Sequence, residues 1–366
     1  MMAEAYYITT PIYYVNDKPH IGHAYTTLAC DVIARFMRLD GYDVLFMTGT
    51  DEHGQKVEKS AHAENTDPLA FCNRVSQNFH DLSPLLNFSN DDFIRTTEER
   101  HTKASQALWR AVADAGDIYL DKYAGWYSVR DEAYYAEDEL QDGPNGQKLS
   151  PFGSPIEWVE EPSYFFRLSQ WQDRLLSYYE ADPNRILPIS RRNEVISFVK
   201  SELRDLSVSR TSFRWGIPVP GDDDHIMYVW FDALTNYITA AGYPDTESEM
   251  FKTFWPANVH MVGKDILRFH AVYWPAFLLA ADLPVPERVY AHGWWLKDEA
   301  KMSKSRGNVI NPHLLLNHFG SDAIRYFLLR EIPFGGDGNF SYQSMIQRIN
   351  SDLANDLGNL VSRTLT

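Results

Sequence analysis

Within about fifty residues the chain runs strand, helix, strand, and no other feature narrows its possible folds as far. Ala5-Tyr6-Tyr7-Ile8-Thr9 reads as a strand, and Asn16-Asp17-Lys18-Pro19 as a turn. A helix follows from about Ile21 to Leu39, with Leu28, Val32 and Phe36, and Ala29, Ile33 and Met37 beside them, recurring at helical spacing as one apolar face. Gly41 ends it. The continuous apolar run Val44-Leu45-Phe46-Met47 then suits a strand covered on both faces of a parallel sheet. The pattern lapses between Gly116 and Pro220, where Tyr119, Tyr123, Trp126, Tyr127, Tyr134 and Tyr135 crowd together and Gly143 to Pro155 reads as turns. It resumes from Asn258 with a strand through Val259 to Val262, a helix carrying Phe269, Tyr273 and Phe277, and a strand from Arg288 to Ala291. A parallel α/β sheet interrupted by an insertion accounts for this order.

Composition excludes several function classes. Fifty acidic against 34 basic side chains give a net charge of -16, the wrong sign for holding nucleic acid by bulk electrostatics, so any such contact requires a local basic patch. One stretch offers a candidate: Arg185, Arg191, Arg192, Lys200, Arg204, Arg210 and Arg214 outnumber Glu194, Glu202 and Asp205. That excess fits a local nucleic-acid-binding patch or an ordinary solvated helix equally well. The longest apolar run, Ala271 to Ala281, contains Pro275 and falls well short of the roughly 20 residues of a membrane helix. The N-terminus lacks a basic n-region and an apolar h-region. Cys30 and Cys72 make neither a disulfide framework nor a metal site alone, which fits a reducing, cytoplasmic setting.

Two motifs carry the chemistry. His20-Ile21-Gly22-His23 opens the first helix, where unpaired N–H groups and the positive dipole end favour anions; two imidazoles add donors for phosphate, and Gly22 lets a flat base approach the backbone. Lys301-Met302-Ser303-Lys304-Ser305, followed by Arg306-Gly307-Asn308, is a basic, small-residue loop suited to closing over a polyphosphate. In this order, on either side of an interrupted sheet, the pair resembles the signature motifs of the class I aminoacyl-tRNA synthetases. Further segments are similar to the methionyl-tRNA synthetase family: Thr9-Thr10-Pro11-Ile12-Tyr13-Tyr14-Val15-Asn16, Thr48-Gly49-Thr50-Asp51-Glu52-His53-Gly54, Tyr228-Val229-Trp230-Phe231-Asp232-Ala233-Leu234 and Gly263-Lys264-Asp265-Ile266. The likeness runs from about Tyr6 to the last residue.

The resemblance implies an ATP-dependent ligase that makes methionyl-adenylate and then charges initiator and elongator tRNA(Met). Its substrates would be L-methionine and ATP with Mg2+, and no membrane would be involved. It assigns catalysis to His20, His23, Lys301 and Lys304, with Gly22, Asp265, His292 and Gly293 joining them around ATP. Asp51 would pair with the substrate α-ammonium. Ile12, Tyr14, Trp230, Ala233, Tyr237, Ile266, His270 and Trp274 would surround the thioether, which aromatic walls and a tyrosine hydroxyl suit. A synthetase for leucine, isoleucine or valine would share the two signatures, but its large editing insertion does not fit this length.

The resemblance also divides the chain into a Rossmann-like half at 1–115, an inserted connective domain at 116–225 and a second catalytic half at 226–300. A lysine-motif segment at 301–343 and the first helix of a mostly absent anticodon-binding domain at 344–366 complete it. Many family members carry a Cys-X-X-Cys zinc knuckle in the insertion. Here Gly125-Trp126-Tyr127-Ser128-Val129-Arg130-Asp131 places Ser128 and Asp131 where the thiolates would stand. Serine is a poor zinc ligand, so the expectation is no zinc and a knuckle held by packing and hydrogen bonds.

Overall fold

A computed structural model describes residues 3–15, 18–201, 203–302 and 307–366. At its centre lies a seven-stranded parallel sheet in the order Ile186–Leu187, Val289–His292, Val259–Gly263, Ala5–Thr9, Asp43–Asp51, Tyr13–Tyr14, with Asp92–Arg95 also pairing with Asp43–Asp51. Ala5–Thr9 is the switch point. The chain leaves it through the Ile21–Leu39 helix toward Asp43–Asp51, while Val259–Gly263 pairs on its other side. Open α/β sheets bind ligands where carboxyl ends diverge in this way. Thr9, Asp51, Gly263 and His292 all stand at such ends.

The first helix spans the expected residues but turns only part of the expected face inward, with Ile33 and Met37 also packed against the core. Ile21, Ala24, Tyr25, Leu28, Ala29 and Ala34 are buried, whereas Val32 and Phe36 are exposed. Ala29, Cys30 and Ala34 share a cluster with the strand residues Ile8, Phe46 and Met261, where small side chains let the helix approach the sheet closely. The helix expected around Phe269 to Phe277 is interrupted. Phe269–Tyr273 forms a π-turn and only Trp274–Ala280 is α-helical. Pro275 cannot donate to the carbonyl of Ala271, and the buried Tyr179 hydroxyl donates to it instead at 2.6 Å.

The insertion forms a four-stranded antiparallel sheet ordered Leu206–Ser207, Glu157–Phe166, Ile118–Ser128, Ala133–Tyr135. Within 116–225, however, Ile186–Leu187 pairs in parallel with Val289–His292, so the chain has rejoined the central sheet well before residue 225. The candidate basic patch in this region is not a continuous surface. Arg210 is buried, ion-paired to Glu161 at 3.0 Å and stacked over Tyr127 and Tyr134, while Arg191 pairs with Glu194 and Arg214 is hydrogen-bonded to Asp223 and Asp224. Glu202 lies outside the described residues.

In the last segment Met345 of the Tyr342–Arg348 helix and Ile349 just after it pack on the core beneath the Pro312–Arg330 helix. The rest continues as a π-helical stretch, Ile349–Leu357, and a helix, Gly358–Leu365, on which Leu357, Leu360 and Leu365 are exposed. No helix among the described residues is long and apolar enough to cross a membrane.

Candidate active site

The histidine motif builds its own cap. His20 is the N-cap of the first helix, and its Nδ1 accepts from the Gly22 N–H at 3.0 Å; His23 Nδ1 in turn accepts from the His20 N–H at 3.0 Å. Each ring therefore carries its proton on Nε2. Burial, helped by the neighbouring His20, pushes the His23 pKa well down, which suits this neutral tautomer. Gly22 has a specific reason to be glycine, since a Cβ there would come within 2.7 Å of the His20 ring.

Opposite the cap, the ends of two strands meet it. The Thr26 hydroxyl lies 3.1 Å from the Gly22 carbonyl and 2.8 Å from His292 Nε2, whose Nδ1 donates to the Gly293 carbonyl at 2.8 Å. A Cβ on Gly293 would sit 2.1 Å from the Gly336 carbonyl oxygen, so only glycine fits. Gly263 is in register with His292, and the half-buried Asp265 just beyond it accepts from Trp294 Nε1 at 3.2 Å. His20, Gly22, His23, Asp265, His292 and Gly293 thus converge.

Lys304 lies outside the described residues, and only the backbone of Lys301 is described, in a short strand pairing with Trp295–Lys297. The flanks of the lysine loop are well placed. Met302 and Ile310 are buried in the same cluster as Ile21 and Ala24, and the Ile21 N–H donates to the Ile310 carbonyl at 3.2 Å. The loop is anchored at both ends beneath the histidine motif.

A second group gathers beside the Asp43–Asp51 strand. Tyr14 is in register with Asp51, and Ile12, Tyr14, Trp230 and Ile266 pack against the core that contains Tyr237 and Trp274. Trp230 stacks on Phe269 with centroids 3.7 Å apart and meets the edge of His270. Ala233 is buried one turn along from Trp230. His270 Nδ1 donates to the Ile266 carbonyl at 2.9 Å, and its Nε2 accepts from the Tyr237 hydroxyl at 2.6 Å. Burial pushes the His270 pKa down to about 4, in keeping with a neutral ring. The Tyr237 proton is therefore committed to His270, and only the oxygen lone pairs face other partners. Trp274 donates to His260 Nε2 at 3.3 Å.

Asp51 stands apart electrostatically. Burial, then the carboxylates of Asp232 and Glu132, raise its pKa well above the usual range; the His53 backbone N–H opposes them, and Oδ1 has no hydrogen-bond partner among the described residues. Its neighbours are better provided. Glu52 accepts from Arg95 Nε at 2.7 Å and from its Nη2 at 2.9 Å. Asp232 lies between His53 Nδ1 and His101 Nε2, each at 2.7 Å; burial would raise its pKa, but these partners outweigh it and hold the value at about 2. Reading the sequence did not single out Asp232, His53, His101 or Glu132 as site groups. An aspartate inside the apolar run Tyr228 to Leu234 was the available signal, because a charge there demands a buried partner.

The knuckle is held by hydrogen bonds, as expected. Asp131 accepts from the Ser150 hydroxyl at 2.5 Å, Ser154 at 2.6 Å and Tyr135 at 3.2 Å, and its N–H donates to Ser128 Oγ at 3.1 Å. Among the described residues there is no group of three or more His, Cys, Asp or Glu side chains able to hold a metal ion.

A split parallel sheet with a histidine-capped helix and an anchored lysine loop at its carboxyl edge defines a class I aminoacyl-tRNA synthetase core. Comparison with known proteins narrows the class. The family described as class I tRNA synthetases (M) matches residues 6–365, and the chain belongs to it. It is 62% identical over 363 residues to a methionine–tRNA ligase of Rickettsia bellii, covering 99% of this chain and 70% of that protein. A Brucella suis methionine–tRNA ligase is 60% identical over 366 residues, with 100% and 71% covered. Among solved structures, Mycobacterium tuberculosis methionyl-tRNA synthetase bound by methionyl-adenylate superposes with a TM-score of 0.96 at 56% identity, covering 99% of this chain and 71% of that one. The free form of that enzyme gives 0.86 at 52%, with 99% and 69% covered.

Proposed function

We propose that this chain is a methionine–tRNA ligase that activates L-methionine with ATP and transfers it to initiator and elongator tRNA(Met). The observation that carries this reading is Asp51, a buried carboxylate with an unpartnered oxygen beside an aromatic-lined group of side chains. A zwitterionic amino acid with a long apolar side chain complements both parts.

On this reading Asp51 holds the α-ammonium, while Ile12, Tyr14, Trp230, Ala233, Tyr237, Ile266, His270 and Trp274 receive the thioether. Asp265, His292 and Gly293 hold the adenosine. The methionine carboxylate attacks the α-phosphorus of ATP, which arrives as its Mg2+ complex, and pyrophosphate leaves. A terminal ribose hydroxyl of the tRNA then attacks the carbonyl of the adenylate and AMP departs. The neutral His20 and His23 rings donate from Nε2 to phosphate oxygens, and Lys301 and Lys304 close from the loop. Catalysis then rests on positioning and charge stabilisation, one such donor being worth about 3 kcal/mol of barrier.

We divide this work between 1–115 and 226–300 for the two small substrates, 301–343 for the lysine motif, and 116–225 and 344–366 for the tRNA. Two buried free thiols, Cys30 and Cys72, accord with a cytoplasmic location. ATP–pyrophosphate exchange tests the assignment. Exchange dependent on methionine and weak with leucine, isoleucine or valine is expected; equal rates with a branched aliphatic amino acid would reverse it.

A further inference from the structure

Glu132 carries the insertion into contact with the amino-acid site. Glu132 follows Asp131 in the knuckle and adopts φ of 50°, a left-handed conformation that costs a side-chain-bearing residue about 1 kcal/mol or more. Its carboxylate is nevertheless buried, and both oxygens are engaged. Oε1 accepts from the Tyr14 hydroxyl at 3.0 Å, and Oε2 accepts from the Tyr127 hydroxyl. The Tyr228 hydroxyl donates to the Glu132 carbonyl at 2.8 Å, so the backbone is fixed as firmly as the side chain. The Lys56 ammonium sits 5.1 Å from the centroid of the Tyr14 ring, and its charge also acts on Glu132. Tyr14 is therefore held by a carboxylate from the insertion and a cation from the Gln55–Ala63 helix, while its backbone stays in register with Asp51.

What keeps Glu132 in this strained conformation is the knuckle. Asp131 is clamped by Ser150, Ser154 and Tyr135, and this clamp fixes the chain one residue before the left-handed turn. In an ordinary surface hairpin a left-handed glutamate would relax outward into water. Here relaxation would break three hydroxyl contacts at Asp131 and two at the Glu132 carboxylate.

We propose that Glu132 is a positioning residue for methionine, acting through Tyr14, and that the serine–aspartate knuckle holds it in place. This deepens the assignment of Tyr14 to the methionine site and rests on it. Glu132 touches a side chain of the site rather than the reacting atoms. Its loss is accordingly felt in methionine binding, not in the handling of ATP.

The test is steady-state pyrophosphate exchange with a double-mutant cycle. Methionine-dependent exchange by the unaltered chain is measured first, and its absence would defeat the functional assignment itself. Glu132→Ala is expected to raise KM for methionine about tenfold, with KM for ATP held within about twofold. Glu132→Gln retains an oxygen acceptor for Tyr14 and should recover most of that loss. In a Tyr14→Phe background the same Glu132→Ala change should cost less than about twofold, because the hydroxyl through which it acts is already gone. Additive effects, or equal rises in both KM values, would overturn the proposal while leaving the methionine assignment intact. If Glu132→Ala does not fold, Asp131→Asn weakens the clamp without touching Glu132 and should raise KM for methionine at least about threefold. An unmoved KM in that variant would also overturn the proposal.

Discussion

Asp51→Asn isolates the group on which the functional assignment depends. The substitution keeps the shape of the side chain and removes only its charge, at a position 8% exposed with an unpartnered Oδ1. An ammonium seated against this oxygen interacts in a dry environment, where truncating one member of a charged pair costs about 2 to 5 kcal/mol. A central value of about 3 kcal/mol corresponds to roughly 150-fold weaker methionine binding. The stability effect has the opposite sign. Burial and the neighbouring Asp232 and Glu132 raise the folded-state pKa of Asp51 above its unfolded value, so ionisation opposes folding. That penalty is absent below the unfolded pKa and fully present once pH exceeds the folded one. At neutral pH Asp51→Asn should therefore raise Tm while removing methionine affinity, the trade expected of a strained functional group. Binding to the unaltered protein should strengthen as pH rises toward the elevated pKa and then level off, with a proton released as methionine enters. Titration calorimetry in buffers of different ionisation enthalpy, together with thermal melts, reads all three effects. Methionine affinity within about threefold of the unaltered chain, or a lowered Tm, would refute the reasoning.

Asp232→Asn should destabilise the fold by about 3 to 5 kcal/mol in denaturant titrations, since it leaves His53 and His101 without their shared anion. With its folded pKa held at about 2, below the unfolded value, Asp232 stabilises at neutral pH, and that contribution should fade as pH falls from about 4 toward 2 in acid melts. Gly293→Ala forces a Cβ to within 2.1 Å of the Gly336 carbonyl and should raise KM for ATP while costing about 2 kcal/mol or more in a thermal melt. Elemental analysis of purified protein should find no stoichiometric zinc, because hydroxyls of Ser150 and Ser154 already satisfy the Asp131 carboxylate.

Much of the fold can be read directly from the chain where local signals act alone. The Ile21–Leu39 helix and the Ala5–Thr9 strand appear with the expected bounds, because a turn precedes the helix and Gly41 follows it. The inward face of that helix was less legible. Hydrophobicity selects Val32 and Phe36 along with Leu28 and Ala29, but Val32 and Phe36 are exposed while Ala24 and Ala34 are buried. Periodicity also passes over the π-turn at Phe269–Tyr273, whose cause lies in Pro275 and in Tyr179, about ninety positions away along the chain from the carbonyl it satisfies. The Ile186–Leu187 strand is two residues long and gains its identity only from pairing with Val289 and Tyr290. Arg210 appeared as one of a run of basic residues, yet its partner Glu161 comes from a distant strand. The motifs near His20, Asp51 and Asp265 were visible because each sits at a strand end or helix start, where local sequence and site coincide. Glu132 was not, because its importance depends on contacts with Tyr14 and Tyr127 made across the fold.

Four acidic side chains, Asp51, Glu52, Glu132 and Asp232, are buried together at this end of the sheet. Burying that much negative charge is tolerable only when each member is compensated, so the partners indicate the job of each. Glu52 has a two-pronged contact with Arg95, Asp232 has two histidines, and Glu132 has two tyrosine hydroxyls with the charge of Lys56 nearby. Asp51 has a backbone N–H and, among the described residues, no ion-pair partner. Three of the carboxylates are thus satisfied by the protein's own groups, Glu52 and Asp232 within its architecture and Glu132 against Tyr14. The fourth has an oxygen with no partner among the described residues, and on the proposed function a cation brought by the substrate would complete it. On that proposal, selectivity for an amino acid would arise from an imbalance that the fold maintains at the cost of its own stability, and Trp230, Tyr237, His270 and Trp274 would decide which side chain accompanies the ammonium.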